Sequence, residues 1–323
     1  MTMQKIWDLI REMTLEEKIG MIHGQGIFHT KGVERLGIPP LWMSDGPMGV
    51  RKELQDDNWA PKGTTDDYVS YLPSNTAIAC TWNRERAADM GCVLGQEARG
   101  RGKDVILAPG INLIRSPLCG RNFEYMSEDP HLISEMAVPL IRGIEEQDTA
   151  ACVKHFALNN QETRRLDVEA AVDERALREL YLPGFEAAVK EGKTKTLMGA
   201  YNRFRGEHCC HNHYLLQDIL RGEWGFDGVV ISDWGGVHDT MQAAENGLDI
   251  EMSVTSDFDQ YCMADPLAEK VRSGEVPEAL LDEKVKNILV LMDRLHMLDG
   301  VRKRGSYNTR DHQEAILKCA EEA

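Results

Sequence analysis

Five short β-rich runs in this chain each lead into polar residues with chemical capacity: Asp45, Arg115, the pair Lys154-His155, the pair Tyr201-Asn202 and the pair Asp233-Trp234. If the runs are parallel strands, their C-terminal ends share one face and the five sets converge on one site. A carboxylate there can act as a nucleophile or stabilise a cationic transition state. A lysine can grip an acceptor or form a Schiff base, and a histidine can donate or accept a hydrogen bond. Each residue also has a plain structural reading. Asp233 stands where an aspartate often caps a helix after a strand. Asp45 precedes Gly46-Pro47 as a turn residue would, Lys154 and His155 suit a strand-end ion pair, and Trp234 suits packing. Residue type alone leaves these readings open.

The elements that must position these residues follow a βαβα order. Strand-like runs occur at Leu36 to Met43, Asp104 to Ala108, Ala150 to Val153, Thr196 to Ala200 and Gly228 to Ser232, with Leu248 to Met252 as a sixth candidate. Between them, helical stretches run over Arg84 to Arg99, from Asp129-Pro130 to about Gln147, over 174–191 behind Asp173, over Tyr214 to Arg221 behind Asn212, and over Glu278 to Leu298. Thr14 and Glu17 have the spacing of a capping box, and Pro130 fits a first helical turn. Alternation of this kind predicts a parallel sheet with helices outside, as a barrel or a doubly wound sheet. No GxGxxG or GxxxxGK[ST] follows any strand, so a nucleotide site lacks its usual phosphate cradle.

Composition narrows the class. The chain has 323 residues, 42% hydrophobic and 28% charged, with a formal net charge of −16. Such an acidic surface repels phosphate backbones, so nucleic acid is not an expected partner. No run is apolar enough to span a membrane, and the amphipathic start MTMQKIWDLIREM does not read as a secretory leader. Eight cysteines without a CxxC pair point to reduced thiols, and a cytoplasmic location is expected. His208, His211 and His213 surround Cys209-Cys210, but adjacent cysteines seldom ligate one ion, so neither a metal nor a cofactor is expected.

The strings SDGPMGVR, GRNFEYMSEDP, KHFALNNQETRR, LMGAYNRFRG and GFDGVVISDWGG occur in this order and cover most of residues 1–300. Together they resemble the N-terminal catalytic domain of glycoside hydrolase family 3, in its β-glucosidase-like branch. The resemblance implies a (β/α)8 TIM-type barrel over 1–300, with irregular first strands allowed for. It also implies a retaining, exo-acting β-glycosidase that removes terminal non-reducing β-D-glucosyl residues. Asp233 of SDW takes the place of the family nucleophile, which captures an oxocarbenium-like centre as a covalent glycosyl ester. Such a carboxylate must stay ionised, so Lys154, Arg121 and Arg165 are expected to hold its pKa low. Asp45, Arg51, Arg121, Lys154, His155, Arg165, Met198, Tyr201 and Trp234 match substrate-binding positions, with Arg164 as the alternative to Arg165. Glu124 would orient a neighbour, and Trp234 would offer its ring to sugar CH groups.

A retaining enzyme needs a second carboxyl group as acid/base. The N-acetylglucosaminidase branch carries its His–Asp dyad in a string like KHFPGHG, whereas this chain has KHFALNN. The two-domain β-glucosidases supply a glutamate from a following α/β sandwich domain. Residues 301–323 are accordingly expected to be a linker and the start of that second domain, whose remainder is missing here. The expected partners are a glycoside or oligosaccharide substrate and this sandwich domain. Within the same family, a β-xylosidase, an arabinosidase or a glycoside phosphorylase is an alternative, as is a catalytically incomplete sugar-binding barrel. A Schiff-base aldolase using Lys154 is the alternative outside it.

Overall fold

A computed structural model describes residues 1–323. Its centre is a parallel five-stranded sheet in the order β3 (Met43–Asp45), β4 (Val105–Leu107), β5 (Ala150–Phe156), β6 (Thr196–Gly199) and β9 (Val229–Ile231), while β7 (Arg203–Phe204) and β8 (Glu207–His208) form a separate antiparallel pair. Shorter segments join its two edges. Ile250 bridges β9 in parallel, and Glu251 bridges His23 in parallel. The Gly24 amide donates to the Glu251 carbonyl at 2.9 Å. β1 (Gly24–Gly26) then pairs antiparallel with β2 (His29–Thr30), and His29 bridges Trp42 antiparallel beside β3. The Met43 amide donates to the Phe28 carbonyl at 2.8 Å, which completes the ring. The result is an α/β barrel of TIM type in which one short segment, β2, runs backwards.

Helices lie outside the ring. Arg84–Gly100 precedes β4, Pro130–Glu145 precedes β5, Pro183–Lys190 precedes β6, and Glu278–Arg294 closes the circuit against Met3–Glu12. Local signals set many of their starts. Thr14 and Glu17 form a reciprocal capping box, Asp129 caps a helix with Pro130 in its first turn, and Asn212 Oδ1 accepts the Leu215 amide at 2.9 Å. The helices Arg84–Gly100 and Pro130–Glu145 meet at backbone distance. A Cβ on Gly91 would lie 2.1 Å from the Leu140 carbonyl oxygen, and one on Gly143 would lie 2.5 Å from that of Ala88. All five sheet strands are buried except at the rim residue Asp45, and their apolar side chains belong to one continuous hydrophobic core.

Two local expectations are corrected, and one alternative reading falls away. Leu36 to Met43 is not one strand: a 3-10 turn occupies Glu34–Leu36 and only Met43–Asp45 is extended into the sheet. Gly37 breaks the run with a left-handed φ of 69°. The helix expected over 174–191 is interrupted by a π turn at Leu177–Tyr181 before Pro183. Asp233 caps no helix; the next one, Thr240–Glu245, is capped by Asp239. Residues 301–323 run back along the barrel. Arg302 pairs with Asp104, and the Asn308 amide donates to Glu97 Oε1 at 2.9 Å. The helix Arg310–Glu322 packs against Arg84–Gly100 and Asn75–Cys80, with His312 buried 2.9 Å from Glu97.

Candidate active site

The C-terminal ends of the sheet strands bring together Asp45 from β3, Arg121 and Glu124 from the turn after β4, Lys154 and His155 from β5, Tyr201 after β6 and Asp233 after β9. Lys154 Nζ lies 2.9 Å from Asp45 Oδ1 and 3.0 Å from Glu124 Oε1. Arg121 holds the same Glu124 through Nε at 2.7 Å and Nη2 at 3.1 Å. Arg51 Nη1 stands 3.7 Å from Asp45 Oδ2. Two carboxylates and three cations thus alternate across the floor and rim. Burial pulls the Asp45 and Glu124 carboxyls upward, but Lys154 and the arginines outweigh it and leave both below their ordinary values. Burial opposes the charge on Lys154 as well, yet Asp45 and Glu124 raise its pKa. An amine held protonated in this way is a hydrogen-bond donor, not a Schiff-base nucleophile.

Asp233 is buried, and its Oδ1 accepts the Trp234 amide at 2.9 Å. Its Oδ2 has no hydrogen-bond partner. The expectation of a lowered pKa is corrected. Burial is the largest influence and raises it, while Arg121, Lys154 and the Trp234 amide pull in the opposite direction without reversing it. The carboxylate is therefore poorly solvated and has one oxygen free, a combination that favours capture of a developing cation.

His155 is also buried. Its Nε2 lies 2.9 Å from Arg121 Nη2 and 3.7 Å from Asp233 Oδ2. Burial, then Arg121, Lys154 and Arg165, push its pKa well below the ordinary histidine value, so the ring is neutral.

The remaining expected residues take varied places. Arg165, not Arg164, turns inward: it pairs with Glu162 at 2.8 Å and lies 4.9 Å over the Tyr201 ring, whereas Arg164 pairs with Asp167 at the surface. The Tyr201 hydroxyl donates to the Trp234 carbonyl at 2.9 Å. Met198 is buried on β6 opposite Ile231. Trp234 is only 6% exposed; its indole N–H donates to the Ile27 carbonyl at 2.7 Å and its ring packs on Phe28, so packing claims most of its face. Arg115 departs from the expected convergence. It is exposed, makes no hydrogen bond or ion pair with the central group, and lines a separate cavity with Leu118 and Tyr181.

Trp59 lies in the 52–72 loop, where the sequence leads one to expect outer subsites, but sequence reasoning missed its partners and several other residues here. Phe28 and Trp59 enclose the Arg51 guanidinium, with ring centroids 5.8 and 5.2 Å away. The indole N–H of Trp59 donates to the Val254 carbonyl at 2.9 Å. A cavity of about 450 Å³ beside Asp45 and Arg121 is lined by the exposed rings of Tyr71 and Phe123. Cys210 Sγ accepts the Asp233 amide at 3.4 Å, while the Cys209 thiol faces the Ala157 carbonyl. Glu251 is buried and binds the amides of Cys262 at 3.2 Å and Met263 at 2.6 Å, and burial pushes its carboxyl up to about 7. Only the aromatic content of these segments was a usable signal; the pairings cross between distant loops.

Known proteins share this arrangement of chain. The profile of the glycosyl hydrolase family 3 N terminal domain matches residues 25–291. The chain is 45% identical to β-glucosidase BoGH3A of Bacteroides ovatus, over 98% of this chain and 44% of that protein. It is 40% identical to an exo-α-(1→6)-L-arabinopyranosidase of Bifidobacterium longum, over 88% of this chain and 37% of that protein. The structure of β-glucosidase 3B from Thermotoga neapolitana in complex with glucose superposes with a TM-score of 0.90 at 36% identity, covering 98% of this chain and 46% of that one. The chain thus spans less than half the length of these relatives.

Proposed function

Because this chain belongs to glycoside hydrolase family 3, we propose that it is the barrel of a retaining, exo-acting β-glucosidase that hydrolyses terminal β-D-glucosyl residues through a glycosyl ester on Asp233. The observation that carries the proposal is the free, buried Oδ2 of Asp233, set among Arg121, Lys154 and Tyr201. Asp45, Lys154, Arg121 and Arg51 would bind sugar hydroxyls. A charged group that loses its hydroxyl partner in such a site is costly, which makes this set selective for a polyhydroxylated ring.

The acid/base is proposed to come from an α/β sandwich domain following residues 301–323. General acid assistance is worth roughly 10²–10⁴-fold. The 323-residue chain should therefore be slow on ordinary glycosides and much faster on those whose leaving group needs no proton. A cytoplasmic location belongs to the same proposal, supported by eight cysteines that all stand as free thiols.

Incubation with 2,4-dinitrophenyl 2-deoxy-2-fluoro-β-D-glucoside tests the reading. One equivalent of dinitrophenolate should be released, with a fluoroglucosyl mass on the peptide holding Asp233. An unlabelled chain that still binds gluconolactone would instead be a sugar-binding barrel. The arabinopyranosidase relatives favour a second specificity. Relative initial rates on 4-nitrophenyl β-D-glucopyranoside and α-L-arabinopyranoside decide between the two.

A further inference from the structure

The hydrogen-bonding partners of His155 determine where its single proton lies. Arg121 can only donate, so at 2.9 Å it requires a lone pair on His155 Nε2. The proton of the neutral ring is then on Nδ1, which faces the Tyr125 hydroxyl at 3.2 Å. That hydroxyl has a direction of its own. It receives the Asn159 side-chain amide at 3.0 Å and lies 3.4 Å from the Asn159 carbonyl oxygen, its acceptor. The Asn159 amide is oriented in turn by Glu162 Oε1 at 3.3 Å, which can only accept, and Glu162 is held by Arg165 at 2.8 Å. Tyr125 is completely buried and Asn159 nearly so, so water cannot substitute for either partner.

We infer that Tyr125, backed by Asn159, is a positioning residue that fixes His155 as the Nδ1–H tautomer. The imidazole then anchors Arg121 through a bare Nε2. In the opposite tautomer, an Nε2–H would point at an Arg121 N–H and drive the guanidinium away. It would also stand 3.7 Å from Asp233 Oδ2, close enough after a small shift to donate to the oxygen that must remain free. The arrangement therefore keeps His155 from protonating or solvating the nucleophile. Its effect on turnover rests on the glycosidase reading above; the tautomer does not.

The test uses the 323-residue chain labelled with 15N-histidine, the His155 signals being assigned by their loss in His155→Gln. Long-range 1H–15N spectra should show a protonated Nδ1 and a bare Nε2. In Tyr125→Phe the tautomers should mix or reverse, and the dinitrophenolate burst from a dinitrophenyl glucoside should slow about tenfold, the worth of one well-made hydrogen bond. Asn159→Leu, which keeps the phenol but removes its orienting amide, should move both readouts in the same direction and decides the matter if Tyr125→Phe fails to fold. A native Nε2–H form, or variants with unchanged tautomer and burst, would overturn the inference. Absence of a burst in the native chain, with Nδ1–H intact, would count against the glycosidase reading and leave the tautomer assignment standing.

Discussion

Lys154 Nζ is shared between Asp45 at 2.9 Å and Glu124 at 3.0 Å, one carboxylate at the half-open rim and the other buried behind it. The two acids should therefore fail differently when neutralised. Asp45→Asn should lower kcat/KM for a β-glucoside by about 10²-fold, with a change in unfolding free energy under about 1 kcal/mol, because the rim carboxylate keeps part of its surface in solvent and its proposed use is with sugar hydroxyls. Glu124→Gln should cost about 3 kcal/mol of stability, since it leaves Lys154 and Arg121 facing one another in the interior. Urea denaturation and steady-state kinetics on the two variants separate these outcomes.

Asp233→Asn should be both inactive and more stable. Burial raises the Asp233 pKa, so at neutral pH the folded state holds a charge that costs free energy, and a neutral side chain of the same shape relieves that cost. Turnover of activated glucosides should fall on the order of 10⁴-fold or more. The melting temperature at pH 7 should rise while gluconolactone still binds. A melting temperature that falls would show that Arg121 and Lys154 need the negative charge more than burial penalises it.

Trp59 stands at the rim, stacked with Arg51 and tethered to the Val254 carbonyl. Trp59→Ala should weaken holding of whatever lies outside the sugar pocket, with KM for cellobiose rising roughly tenfold by loss of about 1–2 kcal/mol of stacking. The burst rate with a dinitrophenyl glucoside should stay within about twofold, because Trp59 does not reach Asp233. Equal losses on both substrates would place Trp59 in the pocket itself.

Glu251 makes stability depend on pH. Its folded pKa of about 7 lies above the ordinary glutamate value of 4.5. Below pH 4.5 both states carry the proton and the contribution is fully present. As pH rises through 7 the folded state must hold a buried charge, and roughly 3 kcal/mol of stability is lost. Unfolding free energies of the native chain minus those of Glu251→Gln, measured from pH 4.5 to 8, should fall across that window and level off above it. A flat difference would mean that the amides of Cys262 and Met263 fully offset the burial.

Much of the framework could be read from the sequence because its causes are local. Thr14-Glu17, Asp129-Pro130 and Asn212 announce their helices through contacts within a few residues, and β-rich runs precede most of the chemically capable side chains. What could not be read depends on several segments at once. The direction of the Asp233 pKa is a contest between burial and two cations, one from β5 and one from the turn after β4. The choice of Arg165 over Arg164 is made by Glu162 and Tyr201. The part played by Tyr125 becomes visible only when Asn159, His155 and Arg121 are seen together. Irregular first strands are allowed for by the resemblance, but the particular reversal at β2 is not, since it spans two residues and leaves no period to detect.

That reversal has a bearing on how the chain comes into being. The ring closes where Gly24 meets Glu251, so the first strand made waits for one of the last. A nascent chain emerging from the ribosome would carry two unsatisfied sheet margins throughout most of synthesis, each able to zip onto a neighbouring polypeptide. Slow refolding and a need for chaperone shielding, eased when residues beyond 251 have been released, would be the cellular signature of a barrel sealed by its most distant parts.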